Sequence, residues 1–255
     1  MDASYLAIYS IIQGLTEFLP VSSSAHLMAL DRLWGPGAGD GRILEALAHI
    51  GSLMAIIIYS RARIWEMARG FFAGRPKEGR TTALKIAASF APIAIAGALA
   101  SSFGQNESAG LVAFNLVAFG LLLWGADRFF GGKTEEIGWR AAMAAGLCQM
   151  FSVIHGASRS GSSMIGLLAS GASRKAAAEF SLLMAIPAIA GAGAWTMINT
   201  RAMSVSAADA AIVVATSFAA SLCAVSSLIK IAAKFSFAWA AAYRAAFALL
   251  LLKLF

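Results

Sequence analysis

The sequence predicts an all-α integral membrane protein with six transmembrane helices and two re-entrant helix pairs. Three observations predict it. Of the 255 residues, 59% are hydrophobic and only 13% are charged, about half the charged share of a soluble domain. Several apolar runs reach the roughly 20 residues needed to cross a bilayer. Two other apolar runs stop at turns rich in Pro, Gly or Ser, and at membrane depth such turns must be buried in protein or line a wet cavity. The mean hydropathy of +0.74 fits one polytopic membrane domain over residues 1–255, in two halves of about 1–110 and 111–255.

The elements follow in order. Tyr5–Leu19 is apolar but stops at Pro20, and Ser22, Ser23 and Ser24 follow. Proline cannot continue a helix, and serines favour the start of a new one. Spans are expected at Ile43–Ser60, Thr82–Ser101 and Leu111–Phe129. Ala141–Ile154 is the second broken run, followed by His155, Gly156 and a Ser/Gly-rich turn. Ala176–Ile198, Ala207–Ile229 and Phe235–Phe255 complete the six. The broken runs resemble each other: Gly14-Leu15-Thr16-Glu17-Phe18 matches Gly146-Leu147-Cys148-Gln149-Met150. His26 to Glu45 is 19 residues, as is Ser160 to Glu179. Paired interrupted segments point to a site at a repeat interface.

Charge excludes some functions and sets the orientation. The net charge of +7 is spread over loops, and no basic stretch is interleaved with aromatics, so nucleic-acid binding is not expected. Cys148 and Cys223 lie in apolar runs, which argues against a disulfide or a cysteine metal site. No Lys or Arg precedes Arg32, so the basic start of a signal peptide is missing. If both broken runs re-enter, Arg61, Arg63, Arg69, Arg75, Lys77, Arg80, Arg128, Lys133, Arg140, Arg174, Lys175, Lys230 and Lys234 share one side. Arg32, Arg42, Arg201 and Lys253 share the other. Thirteen against four places the first set in the cytoplasm and both termini outside.

Ionisable groups at membrane depth are costly and are functional candidates by default. Gln13 and Glu17 are four apart and share a helix face. Beyond Pro20, Ser22, Ser23 and Ser24 sit at a helix start with His26 one turn in. A helix N-terminus with free amides suits a phosphate. The second cluster runs from His155 through Gly156, Ser158, Arg159, Ser160 and Gly161 to Ser163. Small residues let backbone wrap an anion, and Arg159 can bind two phosphate oxygens at once. Simple helix capping or packing accounts for the serines but not for Glu17, His26 and Arg159. Glu45 and His49, also four apart, are either partners of the first cluster or a structural pair. For Arg244, a snorkelling or structural role outweighs a catalytic one.

These residues carry a resemblance. Gln13-Gly14-Leu15-Thr16-Glu17-Phe18-Leu19-Pro20-Val21-Ser22-Ser23-Ser24-Ala25-His26 resembles the first signature of the undecaprenyl-diphosphate phosphatase, or bacitracin-resistance, family. Gly156-Ala157-Ser158-Arg159-Ser160-Gly161 resembles the second. Glu179-Phe180-Ser181, Ile186-Pro187 and Tyr243-Arg244 extend the likeness almost end to end. His155 stands where the family usually has proline. Gln13 stands where glutamate is common, which puts more weight on Glu17.

The resemblance implies six spans with two oppositely oriented re-entrant pairs in an inverted repeat. It implies a bacterial inner-membrane phosphatase, often a homodimer, whose site opens to the periplasm and uses a divalent cation, Mg²⁺ or Ca²⁺. It also implies recycling of the lipid carrier of cell-wall synthesis and resistance to bacitracin. The family's functional positions fall on Gln13, Glu17, Ser23, His26, Ser158, Arg159 and Ser163. The expected chemistry is hydrolysis of a polyprenyl diphosphate. Arg159 and the amides of Gly156–Ser160 hold the terminal phosphate, and Glu17 helps hold the metal. Ser22, Ser24, Ser158, Ser160 and Ser163 contribute to substrate binding. Ser23 acts as nucleophile with Glu17 or His26 as base, or either of those activates water directly. The rival class is a lipid flippase or small-substrate transporter on the same broken helices.

In a background freed of Cys148 and Cys223, a single cysteine between Arg61 and Arg80 is expected to be shielded from an impermeant thiol reagent added to intact cells. One between Ser102 and Ser108 is expected to be labelled. The opposite pattern would reverse the orientation.

Overall fold

The computed structural model describes residues 2–34, 41–72, 77–100, 108–199 and 205–255. Arg75 and Arg201, two of the charges in the topology argument, and residues 102–107 of the labelling experiment lie outside these. Eleven α-helices make up the described fold, in order α1 (Ala3–Phe18), α2 (Ser23–Trp34), α3 (Gly41–Tyr59), α4 (Arg61–Phe72), α5 (Lys77–Ala100) and α6 (Ala109–Gly125). After them come α7 (Trp139–Gln149), α8 (Arg159–Ala169), α9 (Arg174–Asn199), α10 (Ala207–Lys234) and α11 (Ala238–Leu254). A π-helical turn, Ala126–Phe130, prolongs α6, and a 3₁₀ turn, Met150–Val153, follows α7.

Five of these helical stretches are long and apolar enough to cross a membrane: Gly41–Tyr59, Lys77–Ala100, Ala109–Phe130, Arg174–Asn199 and Ala207–Lys234. The protein is therefore a multi-pass membrane protein. The sixth expected span is shorter than its apolar run. Helix α10 continues to Lys234, and the chain turns at Phe235–Phe237 before α11 begins. With 17 residues, α11 rises about 25 Å, just under the hydrocarbon thickness. The basic segment expected as a loop after the first span forms α4. It is held against α5, where a Cβ on Gly79 would lie 2.3 Å from the Glu66 carbonyl oxygen.

Both broken runs do break. Helix α1 ends at Phe18 and α2 starts at Ser23; α7 ends at Gln149 and α8 starts at Arg159. The turns share one geometry. Ser22 has a φ of +73° and Ser158 a φ of +71°. In each turn the serine Oγ lies 3.2 Å from the Oγ two residues on, Ser24 in the first case and Ser160 in the second. A non-glycine residue in this region is strained, by about 1–3 kcal/mol, and persists only where its surroundings fix it.

The glycines matched in the sequence, Gly14 and Gly146, do the same job. Helix α1 lies along α10 so closely that a Cβ on Gly14 would sit 2.6 Å from the Ser217 carbonyl oxygen. Helix α7 lies along α5, where a Cβ on Gly146 would sit 2.5 Å from the Ser89 carbonyl oxygen. Small residues allow such approach where packing rather than hydrophobicity drives association. Ser217 and Ser221 of α10 add buried polar links to α3 and α1: Ser217 Oγ donates to Ala48 O at 2.7 Å, and Ser221 Oγ to Gly14 O at 3.2 Å.

Two buried charges tie the opposite end. Lys85 Nζ donates to Ile137 O at 2.7 Å. Asp127 accepts from Arg174 and, at 2.8 Å, from the Phe237 amide, which fixes the start of α11.

Gly14→Val is expected to lower the midpoint of thermal unfolding in detergent by several degrees, since overpacking costs about 1–3 kcal/mol. Gly97, whose Cβ would meet nothing within 4 Å, is the control: Gly97→Ala should leave the midpoint unchanged or slightly raised.

Candidate active site

Glu17 ends the last turn of α1, and four side chains converge on its carboxylate. Gln13 Nε2 donates to Oε2 at 2.7 Å, as the four-residue spacing predicts. Ser23 Oγ donates to the same oxygen at 3.1 Å. His49 Nε2, from α3, stands 3.5 Å from it. Arg159 Nη2, from the start of α8, donates to Oε1 at 2.8 Å and to the Glu17 backbone carbonyl at 3.4 Å. The two broken helices thus meet through one ion pair whose side chains are 14% and 6% exposed. Both hydrogen bonds found for Arg159 use Nη2, and the residue also lines the cavity.

Glu17, Ser22, Ser23, Ser24, Ser158 and Arg159 line the polar end of a cavity of about 540 Å³, with Glu45, His49 and His155 also on its wall. Its remaining walls come from the second halves of α5 and α9, including Phe90, Ile93, Gly97, Ile189, Ala192 and Trp195. A charged head and an apolar corridor therefore share one space.

Other expected site residues lie just behind this surface. Gln13 is buried against Glu17. Ser160 Oγ donates to Leu19 O at 3.0 Å, tying α8 to the end of α1. Ser163 is fully buried, bonding Ser160 O at 3.0 Å and pairing with Ser181 Oγ at 2.7 Å. Gly156 has a φ of +92° and leaves no room for a Cβ beneath Val112 O. The His155 carbonyl accepts from Asn115 Nδ2 at 3.0 Å.

His26 turns elsewhere. Its Nδ1 lies 2.7 Å from Ser22 O and its Nε2 lies 2.7 Å from Tyr243 Oη. Its ring stacks on Phe247 with centroids 3.9 Å apart. Arg244 does not snorkel. It is fully buried and donates to backbone carbonyls of Leu116, Gly156, Ala157 and Pro20. Sequence reasoning singled out neither Tyr243 as a partner of His26 nor Asn115. The one signal for Asn115 is a lone amide in an otherwise apolar span.

A family model described as "Bacitracin resistance protein BacA" matches residues 6–250. The chain belongs to the BacA family. A curated relative, the undecaprenyl-diphosphatase of Maricaulis maris (strain MCS10), is 38% identical over the full length of both chains. The matched span includes both stretches that carry the resemblance, Gln13–His26 and Gly156–Gly161, and these fall on the two turns that meet at Glu17 and Arg159.

No group of three His, Cys, Asp or Glu among the described residues forms a metal cage. The Glu17 carboxylate is already shared among Gln13, Ser23 and Arg159. Glu17 and Glu45 are the carboxylates on the cavity wall, so a cation there would take most of its ligands from phosphate oxygens, as Mg²⁺ commonly does.

Removing one partner of a buried ion pair strands the other. Glu17→Gln and Arg159→Gln are each expected to destabilise the protein by about 3 kcal/mol. The double variant should cost less than the sum of the two. A thermal-unfolding cycle that came out additive would mean the pair contributes no coupling.

Proposed function

We propose that this protein hydrolyses undecaprenyl diphosphate to undecaprenyl phosphate and inorganic phosphate, recycling the lipid carrier of cell-wall synthesis and conferring bacitracin resistance. One observation carries the reading. A hydroxyl, a carboxylate and a guanidinium (Ser23, Glu17 and Arg159) form a single hydrogen-bonded set at the polar end of an apolar-walled cavity. The full-length likeness to a protein named undecaprenyl-diphosphatase supports the substrate.

The chemistry asks mainly for position and charge neutralisation. Nη1 and Nε of Arg159 take the terminal phosphate, while Nη2 keeps Glu17 in place. In the serine route, Ser23 Oγ attacks the terminal phosphorus and its proton passes to Glu17 Oε2. The bond from phosphorus to the bridging oxygen breaks. Undecaprenyl phosphate leaves as an anion that needs no proton, and water then hydrolyses the phosphoserine. In the water route the same carboxylate takes a proton from water and Ser23 orients it. The 3.1 Å Ser23–Glu17 bond favours Glu17 over His26 as the base in either route. A divalent cation would add charge neutralisation at the diphosphate.

The same reading includes topology. We place α3, α5, α6, α9, α10 and α11 as six spans, with α1–α2 and α7–α8 as re-entrant pairs of an inverted repeat. The paired serine turns and the paired glycine contacts, Gly14 on α10 and Gly146 on α5, support it. The cavity is walled by the ends of α5 and α9 remote from the basic segments, which supports a periplasmic opening in a bacterial inner membrane. The family and the relative's name speak for hydrolysis and not for a flippase or carrier.

Purified protein is expected to release phosphate from undecaprenyl diphosphate, and a chelator should suppress the release. Arg159→Ala should lower turnover on the order of a hundredfold, since one lost charge-assisted contact to the reacting group is worth roughly 3 kcal/mol. Arg159→Lys should lose most of the activity, lacking the planar fork. Near-wild-type turnover by folded Arg159→Ala would put the phosphate clamp elsewhere.

A further inference from the structure

The two serine turns are held by the same helix. We propose that Tyr243 and Arg244, successive residues of α11, are positioning residues for the hydrolysis, holding the Ser22 and Ser158 turns in register so that Ser23 and Arg159 face one phosphate. The inference rests on the reading of Glu17, Ser23 and Arg159 as the reacting set.

The first hold runs through His26. A carbonyl oxygen only accepts, so the contact with Ser22 O puts a proton on Nδ1. The Nε2 of the neutral ring is then an acceptor, and the Tyr243 hydroxyl donates to it at 2.7 Å. The ring has little freedom to turn. It lies within 9° of parallel to Phe247 at 3.9 Å and within 5° of parallel to Tyr243 at 5.7 Å between centroids. Ser22 is buried at φ +73°, and such strain survives only where neighbours over-determine it. The His26 bond is one such determinant. Ser23 is the next residue, and its Oγ meets Glu17. Both ring nitrogens of His26 are thus committed to the tether.

The second hold is direct. Arg244 Nη2 donates to Gly156 O and, at 3.1 Å, to Ala157 O, the two residues before Ser158. Nη1 reaches Pro20 O at 3.4 Å, two residues before Ser22. Nε donates to Leu116 O at 2.8 Å. One fully buried guanidinium therefore touches the backbone ahead of both left-handed serines. The separation of Ser23 from Arg159 is set from α11, although neither Tyr243 nor Arg244 lines the cavity.

The test compares steady-state hydrolysis of undecaprenyl diphosphate by wild type, Tyr243→Phe, Arg244→Lys, Glu17→Gln and Ser23→Ala, each checked for monodispersity and thermal midpoint. Tyr243→Phe keeps the ring stack and removes only the hydroxyl. Its kcat is expected to fall about tenfold with KM within about twofold, as small misplacement of reacting groups costs rate. Arg244→Lys, which loses the fork, should fall further. Nitrogen-15 NMR of histidine-labelled wild type, with His26→Gln to assign the signal, should show His26 neutral and protonated on Nδ1. Tyr243→Phe should shift the Nε2 resonance. A wild-type kcat in Tyr243→Phe, or an Nε2-protonated His26 in the wild type, would overturn the proposal; the second readout stands even if the variants fail to fold. Full activity in both Glu17→Gln and Ser23→Ala would instead overturn the underlying site.

Discussion

A helix that stops inside an apolar protein leaves carbonyl oxygens with nothing to accept from, and the whole site depends on how that deficit is met. The end of α1 exposes the carbonyls of Glu17, Leu19 and Pro20. Arg159, Ser160 and Arg244 answer them. These residues are buried or half-buried in protein, so each unmet carbonyl would cost several kcal/mol. The donors come from α8 and α11, far along the chain. Satisfying α1 therefore forces the second broken pair against the first. The meeting of Glu17 and Arg159 is a by-product of backbone accounting as much as of any direct attraction.

The same need explains why the serines recur. In both turns a serine takes a left-handed backbone and shares its hydroxyl with the serine two residues on. Glycine would adopt this φ with less strain, but it could supply no hydroxyl. The turns thus combine a sharp reversal with polar groups that remain near the cavity. At the second turn the division of labour is visible: Gly156 supplies the tight approach to α6, and Ser158 supplies the cap of α8.

Much of this was legible in the sequence, and what was missed has a common cause. Pro20 with three serines, the Gln13–Glu17 spacing and the isolated Arg159 are local signals, and each lies where local physics put it. Gly14 and Gly146 could be paired because each precedes a leucine in a broken apolar run. Tyr243 with His26 could not be paired, because 217 positions separate them and no periodicity links α2 to α11. For Arg244 the sequence left a snorkelling or a structural role open; only the folded backbone reveals the carbonyls within its reach. Lys85 and Asp127 hide for a similar reason: each sits within an apolar run and meets a partner distant in sequence, the Ile137 carbonyl for Lys85 and Arg174 for Asp127. Helix α4 was hidden by its arginines, which count toward topology yet also favour a helix.

Helix α11 follows every other described helix in the chain, and it holds both turns. During synthesis, α1, α2, α7 and α8 are made before Tyr243 and Arg244. Until then the carbonyls of Pro20, Gly156 and Ala157 lack their guanidinium, and His26 lacks its hydroxyl donor. A nascent chain can carry both signature motifs and still have no aligned pair of turns. The order of the sequence thus delays assembly of a lipid-cleaving centre until the helical scaffold around it is in place.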